Sequence, residues 1–235
     1  MAKKKKKPAG SGVNPALKRR AAKVYTQLEK LYPDAHCALD HKSPFQLLVA
    51  TILSAQCTDV RVNIVTPALF KAYPTPKKMA AAKISHLEEL VKTTGFFRNK
   101  AKNIQGAALA IEQDHGGEVP DTMEELLKLP GVARKTANVV LGNAFDKNIG
   151  VVVDTHVGRL SVRLGWTSET DPKKVERDLM ALFPQKNWTM LSHLLIHHGR
   201  GPCKRATPSA MTQVLLKSCP QIGVDDWVKP QDFGG

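Results

Sequence analysis

Apolar residues recur at helical spacing along most of the chain, in segments that are joined by short polar loops. An alternating strand pattern is almost absent, and residues 151–153 form the main β-like run. Helical periodicity with short connections predicts an all-α fold. A length of 235 residues is enough for one or two domains with a substantial core. No apolar stretch is long enough to predict a membrane span.

A helix, a tight turn and a second helix are predicted in the middle of the chain. Asp121 and Thr122 give a helix start, followed by two glutamates and an apolar stripe. A Pro-Gly pair that ends at Gly131 stops this helix, and helix-forming residues resume at Arg134. Such a hairpin leaves the first N–H groups of the second helix free, and they form an electropositive site for a phosphate. The segment therefore indicates binding to the DNA backbone.

Lys135 and Asp154 are two candidate catalytic residues, although each also has a simpler interpretation. Lys135 falls in the first turn of the second helix, where the positive end of the helix dipole disfavours an ammonium group. A lysine held there could act as a neutral amine nucleophile, or it could be a surface lysine that binds a phosphate. Asp154 could be the N-cap of a helix that starts at Thr155 and stops at Gly165. The two residues together, separated by an apolar run, favour the catalytic interpretation.

Four separated motifs resemble the helix-hairpin-helix DNA glycosylases of the endonuclease III type. Enzymes of that family remove oxidised pyrimidines from DNA and cut the strand at the abasic site. The motifs occur in the family's order and cover the chain from about Lys18 to about Cys219. They are SPFQLLVATILSAQCTD at residues 43–59, GFFRNKA at 95–101, LPGVARKTANVV at 129–140 with VDTH at 153–156, and HGR at 198–200.

The resemblance implies two helical domains, with the active site in the cleft between them. A helical barrel domain that contains the helix-hairpin-helix motif is expected at 37–148. The second helical domain is expected at 16–36 plus 149–220. Lys135 would come from the first domain and Asp154 from the second.

The chemistry of the family suits these two residue types. Breaking a glycosidic bond passes through an oxocarbenium-like sugar, so a carboxylate such as that of Asp154 stabilises the developing positive charge. An amine that attacks the sugar C1′ forms a Schiff base, which acidifies the C2′ proton and permits strand cleavage by β-elimination. Lys135 matches the nucleophile of this reaction. Related enzymes that lack the lysine act as glycosylases alone.

A base inside a duplex is inaccessible, so the enzyme must rotate the nucleotide out and fill the gap. The resemblance implies that Gln56 enters this gap and that Phe96 is a wedge from the other side. Core packing is an alternative role for Phe96 and Phe97. An amide at Gln56 would be costly to bury without partners. The remaining expected DNA contacts are Gly131, Ala133, Arg134, Thr136 and His156.

Ala133 departs from the family pattern, because the hairpin commonly has a second glycine there. Alanine is acceptable at this position if φ is negative. A positive φ would cost about 1 kcal/mol or more.

The carboxyl end also departs from the family pattern. Many members hold a four-iron cluster on cysteines spaced CX6CX2CX5C, just after the HGR motif. Cys203 matches the first of these positions and Cys219 the last, but Ala210 and Gln213 occupy the two inner ones. The sequence therefore predicts that no iron–sulfur cluster is bound and that the protein needs no cofactor.

Zinc is an alternative metal for the two cysteines. Cys203 and Cys219 could bind it with His197 or His198, or with His193 and His197 at helical spacing. Zinc fingers usually have closer ligand pairs, and a disulfide is unfavourable in a reducing compartment. We therefore predict no metal at this end, with the segment around Leu215 held by apolar packing.

The net charge of +14 indicates a polyanionic partner. Nine of the fourteen net charges lie in the first 28 residues. Residues 1–15 hold five of them in a lysine run with Pro, Gly and Ser, which predicts a disordered basic tail without the apolar core of a secretory signal. DNA contact is the favoured role of this tail; a nuclear address and a solubilising extension are the alternatives. Residues 221–235 are predicted to be an extended tail.

The sequence thus predicts a bifunctional DNA N-glycosylase and abasic-site lyase of base-excision repair. Its expected partner is double-stranded DNA with damaged pyrimidines or abasic sites, and a monomer without membrane association is expected. Its expected location is intracellular, on DNA: the cytoplasm or nucleoid of a bacterium, or a nucleus in view of the lysine tail. The alternatives are a monofunctional glycosylase for another lesion and a non-catalytic helix-hairpin-helix DNA-binding protein.

Overall fold

The computed structural model describes residues 13–204 together with 215, 218–220 and 222. Within these residues the chain forms eleven α-helices and two short 3₁₀ helices, and no β-strand. The α-helices are α1 (Pro15–Leu31), α2 (Pro44–Leu53), α3 (Asp59–Ala72), α4 (Pro76–Ala80), α5 (Ile84–Val91), α6 (Phe97–His115), α7 (Met123–Leu126), α8 (Arg134–Ala144), α9 (Thr155–Arg163), α10 (Pro172–Leu182) and α11 (Trp188–Arg200). The predicted all-α class is confirmed, and the β-like run at 151–153 forms no strand and lies in the connection between α8 and α9.

Polar caps explain where many of these helices begin. Ser43 accepts a hydrogen bond from Gln46 N, and Pro44 then starts α2 with its fixed φ. Asp171 accepts from the backbone N–H groups of the first turn of α10 in the same way. Asn14 caps α1, so the predicted disordered tail has ended by Asn14; the rest of that tail, residues 1–12, lies outside the described residues.

The buried apolar side chains divide into two clusters. The first cluster is built by α2 to α8 and includes Leu48, Ile104 and Leu141. The second is built by α1 and α9 to α11, with Val24 and Leu195 among its members. Two helical domains therefore share the chain, and α1 returns to the domain formed by the second half.

Helix α8 of the first cluster contacts helix α11 of the second cluster. An ion pair also links the two clusters, because Arg134 at the start of α8 binds the buried carboxylate of Glu176 on α10. Ser192 on α11 accepts a hydrogen bond from Val152 N at 3.0 Å. The chain segment that leads to Asp154 is thereby fixed against α11.

Candidate active site

Gly131 makes the tight turn between α7 and α8. Its φ of +77° is in the left-handed region, which favours glycine. A Cβ atom there would also lie 2.7 Å from Cβ of Asn103 on α6. Both the backbone conformation and the close approach of α6 therefore require glycine.

Ala133 is the N-cap residue of α8 and has a φ of −98°. Alanine is unstrained at this angle, so the departure from glycine costs no backbone strain. No side chain caps α8, in contrast to α9 and α10. The first N–H groups of α8 are therefore available to an anion at the positive end of the helix dipole.

Lys135 and Asp154 line the same cleft. Both contribute to the walls of three cavities, and they are the two residues that all three cavities share. Lys135 is exposed in the first turn of α8 and makes no hydrogen bond or ion pair with any described residue. The cleft thus brings together the accessible amine of Lys135 from the first domain and the carboxylate of Asp154 from the second.

Asp154 is the N-cap of α9, as its simpler interpretation predicts. Its Oδ1 accepts a hydrogen bond from Val157 N at 2.8 Å. Its Oδ2 has no hydrogen-bond partner among the described residues. The capping role therefore holds the carboxylate in place and leaves one oxygen available in the cleft.

Gln56 and Phe96 both adopt left-handed backbone conformations, with φ values of +53° and +46°. Such angles are uncommon for residues with side chains and cost free energy. Gln56 is exposed in the turn after α2 and lines a cavity with Lys135 and Asp154. Phe96 is 65% exposed at the start of α6, whereas Phe97 is half-buried against the first core cluster. Core packing is thus the role of Phe97 and not of Phe96.

The other expected DNA contacts have different surroundings. His156 is half-buried and lines the cavity that contains Gln56. Thr136 is half-buried in the first turn of α8. Arg134 directs its guanidinium to Glu176, with distances of 2.8 Å from Nε and 3.0 Å from Nη2 to the carboxylate oxygens. The structure therefore uses Arg134 for an internal ion pair, and its role as a DNA contact stays a prediction.

Two pairs in the cleft were not expected from the sequence. His193 on α11 forms a 2.7 Å hydrogen bond with Asn143 on α8. Arg200 at the end of α11 binds Asp59 at the start of α3, at 2.5 Å. Both pairs line a cavity with Lys135 and Asp154. Arg200 belongs to the HGR motif and could have been singled out from the sequence. The two residues of each pair are too far apart along the chain for the contact to be inferred from one sequence.

Arg163 joins Cys203 and Cys219. Its Nη1 donates to Cys203 Sγ at 3.3 Å, and its backbone oxygen accepts from Cys219 Sγ at 3.7 Å. Neither cysteine is in a disulfide. The inner positions of the cluster motif, Ala210 and Gln213, lie outside the described residues.

A four-iron cluster does not fit this arrangement. The outer thiols contact an arginine that is 7% exposed, and the inner positions carry no thiol in the sequence. In the part of the chain that the structure describes, no group of three or more His, Cys, Asp or Glu residues could hold a metal ion. Among the same residues, no helix is long and apolar enough to cross a membrane.

Comparisons with known proteins agree with this geometry. The family model of the HhH-GPD superfamily base excision DNA repair proteins matches residues 49–185. Endonuclease III of Synechocystis sp. is 58% identical over 203 residues, which cover 86% of this chain and 93% of the relative. Two solved structures, a non-covalent endonuclease III–DNA complex and a trapped endonuclease III–DNA covalent intermediate, each superpose with a TM-score of 0.82 at 42% identity. Each covers 87% of this chain, and the chain covers 95% and 96% of those structures. The chain therefore belongs to the HhH-GPD superfamily of base excision DNA repair proteins and, within it, to the endonuclease III family.

Proposed function

We propose that Lys135 is the nucleophile and Asp154 the charge-stabilising carboxylate of a DNA glycosylase and abasic-site lyase. Family membership supports base-excision repair by a bifunctional enzyme that acts on oxidised pyrimidines. The observation that carries the residue assignment is the position of Lys135 and Asp154 in all three cavities of the cleft. The trapped covalent intermediate formed by a 42% identical endonuclease III supports an amine mechanism.

The proposed reaction begins when Nζ of Lys135, as the free amine, bonds to C1′ of the damaged nucleotide. The bond between C1′ and the base breaks, and its electron pair leaves with the base, which takes up a proton. The amine nitrogen gives up one proton, the bond between C1′ and the ring oxygen O4′ breaks, and O4′ takes up a proton. This leaves a protonated Schiff base between Nζ and C1′. Loss of a C2′ proton then expels the 3′ phosphate, which cuts the strand.

Asp154 acts on the first of these steps. Positive charge develops on the sugar as the bond to the base breaks, and a fixed carboxylate stabilises that charge without reorganising. The hydrogen bond from Val157 N supplies this fixation. Oδ2 is the oxygen that we assign to the sugar.

DNA binding in this proposal uses the free N–H groups of α8 for a phosphate, with Gly131, Ala133 and Thr136 around them. Gln56 fills the gap left by the extruded nucleotide, and Phe96 enters the stack from the other side. Their exposure and strained backbones support these roles, since strain of this kind concentrates at functional sites. His156 and Arg134 complete the expected contacts.

We place the domain boundaries where the sequence predicts them, at 37–148 and at 16–36 plus 149–220. The two separate core clusters support this division. We also propose that the enzyme works without an iron–sulfur cluster, because Arg163 contacts both outer thiols and the inner ligands are missing from the sequence.

Borohydride trapping tests the nucleophile. A duplex that contains an abasic site should form a covalent adduct with the wild-type enzyme, and Lys135→Gln should abolish the adduct while DNA binding remains. Lys83→Gln is the matched control, because Lys83 is exposed and lines none of the three cavities. Undiminished trapping by Lys135→Gln would show that another amine reacts.

Release of base without strand cleavage by the wild-type enzyme would favour the monofunctional alternative. Absence of both reactions on every oxidised pyrimidine tested would favour a non-catalytic DNA-binding protein.

A further inference from the structure

The hydrogen bond between His193 and Asn143 spans the cleft. Asn143 lies in the last turn of α8 in the first domain, and His193 lies in the middle of α11 in the second. The Nε2 atom of His193 and the Oδ1 atom of Asn143 are 2.7 Å apart. Both side chains line the cavity that also contains Lys135 and Asp154.

The backbone fixes the orientation of the Asn143 amide. Its Nδ2 donates to the carbonyl oxygen of Val139 at 2.8 Å. The flipped amide would place Oδ1 against that carbonyl oxygen, where two acceptors repel each other. Oδ1 therefore faces His193 and can only accept, so the Nε2 atom of His193 carries the hydrogen.

Burial lowers the pKa of His193 to about 4, with further lowering from His197 and His36. The imidazole is therefore neutral at pH 7. A neutral ring with its hydrogen on Nε2 has a lone pair on Nδ1. No described residue donates a hydrogen bond to that Nδ1.

Two hydroxyl groups of the same cavity already have partners. Ser192 Oγ accepts from Val152 N and lies 3.2 Å from the backbone oxygen of Trp188. Thr51 Oγ1 donates to the backbone oxygen of Leu47 at 2.7 Å. His193 Nδ1 is thus an oriented acceptor in a wall where these hydroxyl groups are engaged.

We propose that His193 Nδ1 reads the extruded base by accepting a hydrogen bond from its N3–H, and that Asn143 is the positioning residue that sets the tautomer. The inference rests on the proposed function, since it requires that the base enters this cavity. The ligand class is the uracil- or thymine-derived lesion, whose imide nitrogen N3 carries a hydrogen. An acceptor that the bound base shields from water and leaves unpaired costs more than a lost contact, so an analogue without this hydrogen is excised more slowly.

Single-turnover base excision measures this contact. The substrate is a duplex with one 5,6-dihydrouracil, and the comparison substrate carries N3-methyl-5,6-dihydrouracil at the same site. We expect methylation to slow excision by the wild-type enzyme about 10- to 100-fold. His193→Phe should slow excision of the unmethylated base by a similar factor, and methylation should slow this variant little further.

Asn143→Leu tests the positioning role. Without the amide, His193 is free to carry its hydrogen on either nitrogen, so we expect a loss smaller than that of His193→Phe. Adding Asn143→Leu to His193→Phe should cause little further loss. Excision by Asn143→Leu at the wild-type rate would overturn this part of the inference.

Cleavage of a preformed abasic site separates this inference from the proposed function. An abasic site carries no base that His193 could contact. His193→Phe should therefore cleave a preformed abasic site at the wild-type rate and should be slower only on substrates that carry a damaged base. The inference would be overturned if methylation slowed excision equally in the wild-type enzyme and in His193→Phe. It would also be overturned if methylation did not slow excision by the wild-type enzyme, and this second measurement does not depend on the folding of any variant. Failure of the proposed function would appear elsewhere, as undiminished trapping by Lys135→Gln.

Discussion

Arg134, the first residue of α8, donates two hydrogen bonds to the buried carboxylate of Glu176 on α10. The Glu176 side chain is 8% exposed, whereas that of Arg134 is 41% exposed. Asn138, one turn further along α8, donates a third hydrogen bond to Oε1 of the same carboxylate at 2.9 Å. The start of α8 is therefore fixed to the second domain. Because Lys135 follows Arg134 directly, this network also sets its position relative to Asp154.

The first prediction is that removal of the cation from this ion pair destabilises the protein more than removal of the negative charge. Arg134→Met should lower the free energy of unfolding by about 3 kcal/mol, because it leaves a buried carboxylate without its cation. Glu176→Gln should cost less, about 1 to 2 kcal/mol, since the guanidinium of Arg134 can reach water. Urea denaturation followed by circular dichroism measures both. Equal costs would show that the carboxylate is better solvated than its burial indicates.

The second prediction separates the two roles of Asp154. Asp154→Asn keeps an oxygen that can accept from Val157 N, and asparagine is as good an N-cap as aspartate. The melting temperature should therefore change little, while base excision should fall about 100-fold or more through loss of the charge. Asp171→Asn is the matched control, because Asp171 caps α10 and lines none of the three cavities. Normal excision by Asp154→Asn would leave Asp154 with a capping role alone.

The third prediction concerns the strained backbone of Phe96. Phe96→Gly should stabilise the protein by about 1 kcal/mol, because glycine adopts a φ of +46° without strain and little buried area is lost. Base excision should nevertheless become slower, since the wedge is missing. Leu109→Ala in α6, the helix that follows Phe96, is the control for removal of an exposed apolar side chain, because Leu109 is 45% exposed. Excision at the wild-type rate by Phe96→Gly would contradict the wedge role.

The sequence predicted those parts of the site that depend on local signals. The hairpin at Gly131, the cap at Asp154 and the exposed position of Gln56 each follow from residue types within a few positions of one another. Arg134 was predicted as a DNA contact from its place in the hairpin, and that role is still a prediction. Its ion pair with Glu176 was not predicted, because the two residues are 42 positions apart along the chain. The pair of His193 and Asn143 has a separation of 50 residues and no motif of its own. Contacts between domains depend on how the helices pack, which periodicity alone does not determine.

The fourth prediction is an acid-dependent loss of stability. His198 is 4% exposed, with its Nδ1 at 2.9 Å from the Tyr32 hydroxyl, and burial lowers its pKa from 6.5 to about 4. Between these two pH values the unfolded chain binds a proton that the folded protein does not bind. The stability contributed by neutral His198 is therefore fully present above pH 6.5 and is lost as the pH falls towards 4, by about 2 kcal/mol between pH 7 and pH 5.

A variant that does not titrate isolates this contribution. His198→Asn keeps a polar partner for the Tyr32 hydroxyl and carries no ionisable group. The difference in unfolding free energy between pH 7 and pH 5 should be smaller in this variant by about 2 kcal/mol. An identical pH dependence in the two proteins would show that His198 does not become charged on unfolding in this range.

The fifth prediction concerns the carboxyl end, where apolar packing should replace the stability that a metal cluster would supply. Leu215 is 2% exposed and packs in the second core cluster with Cys203 and Cys219 at its edge. Leu215→Ala should therefore cost about 2 to 5 kcal/mol.

Cys203→Ser should cost less than about 1 kcal/mol, because a serine oxygen can also accept the hydrogen bond from Arg163. Purified protein should be colourless, and a chelator should change neither its melting temperature nor its lyase activity, because in our proposal no metal binding is linked to folding. Stoichiometric iron in the purified protein, or loss of the fold in Cys203→Ser, would show that a metal holds this end of the chain.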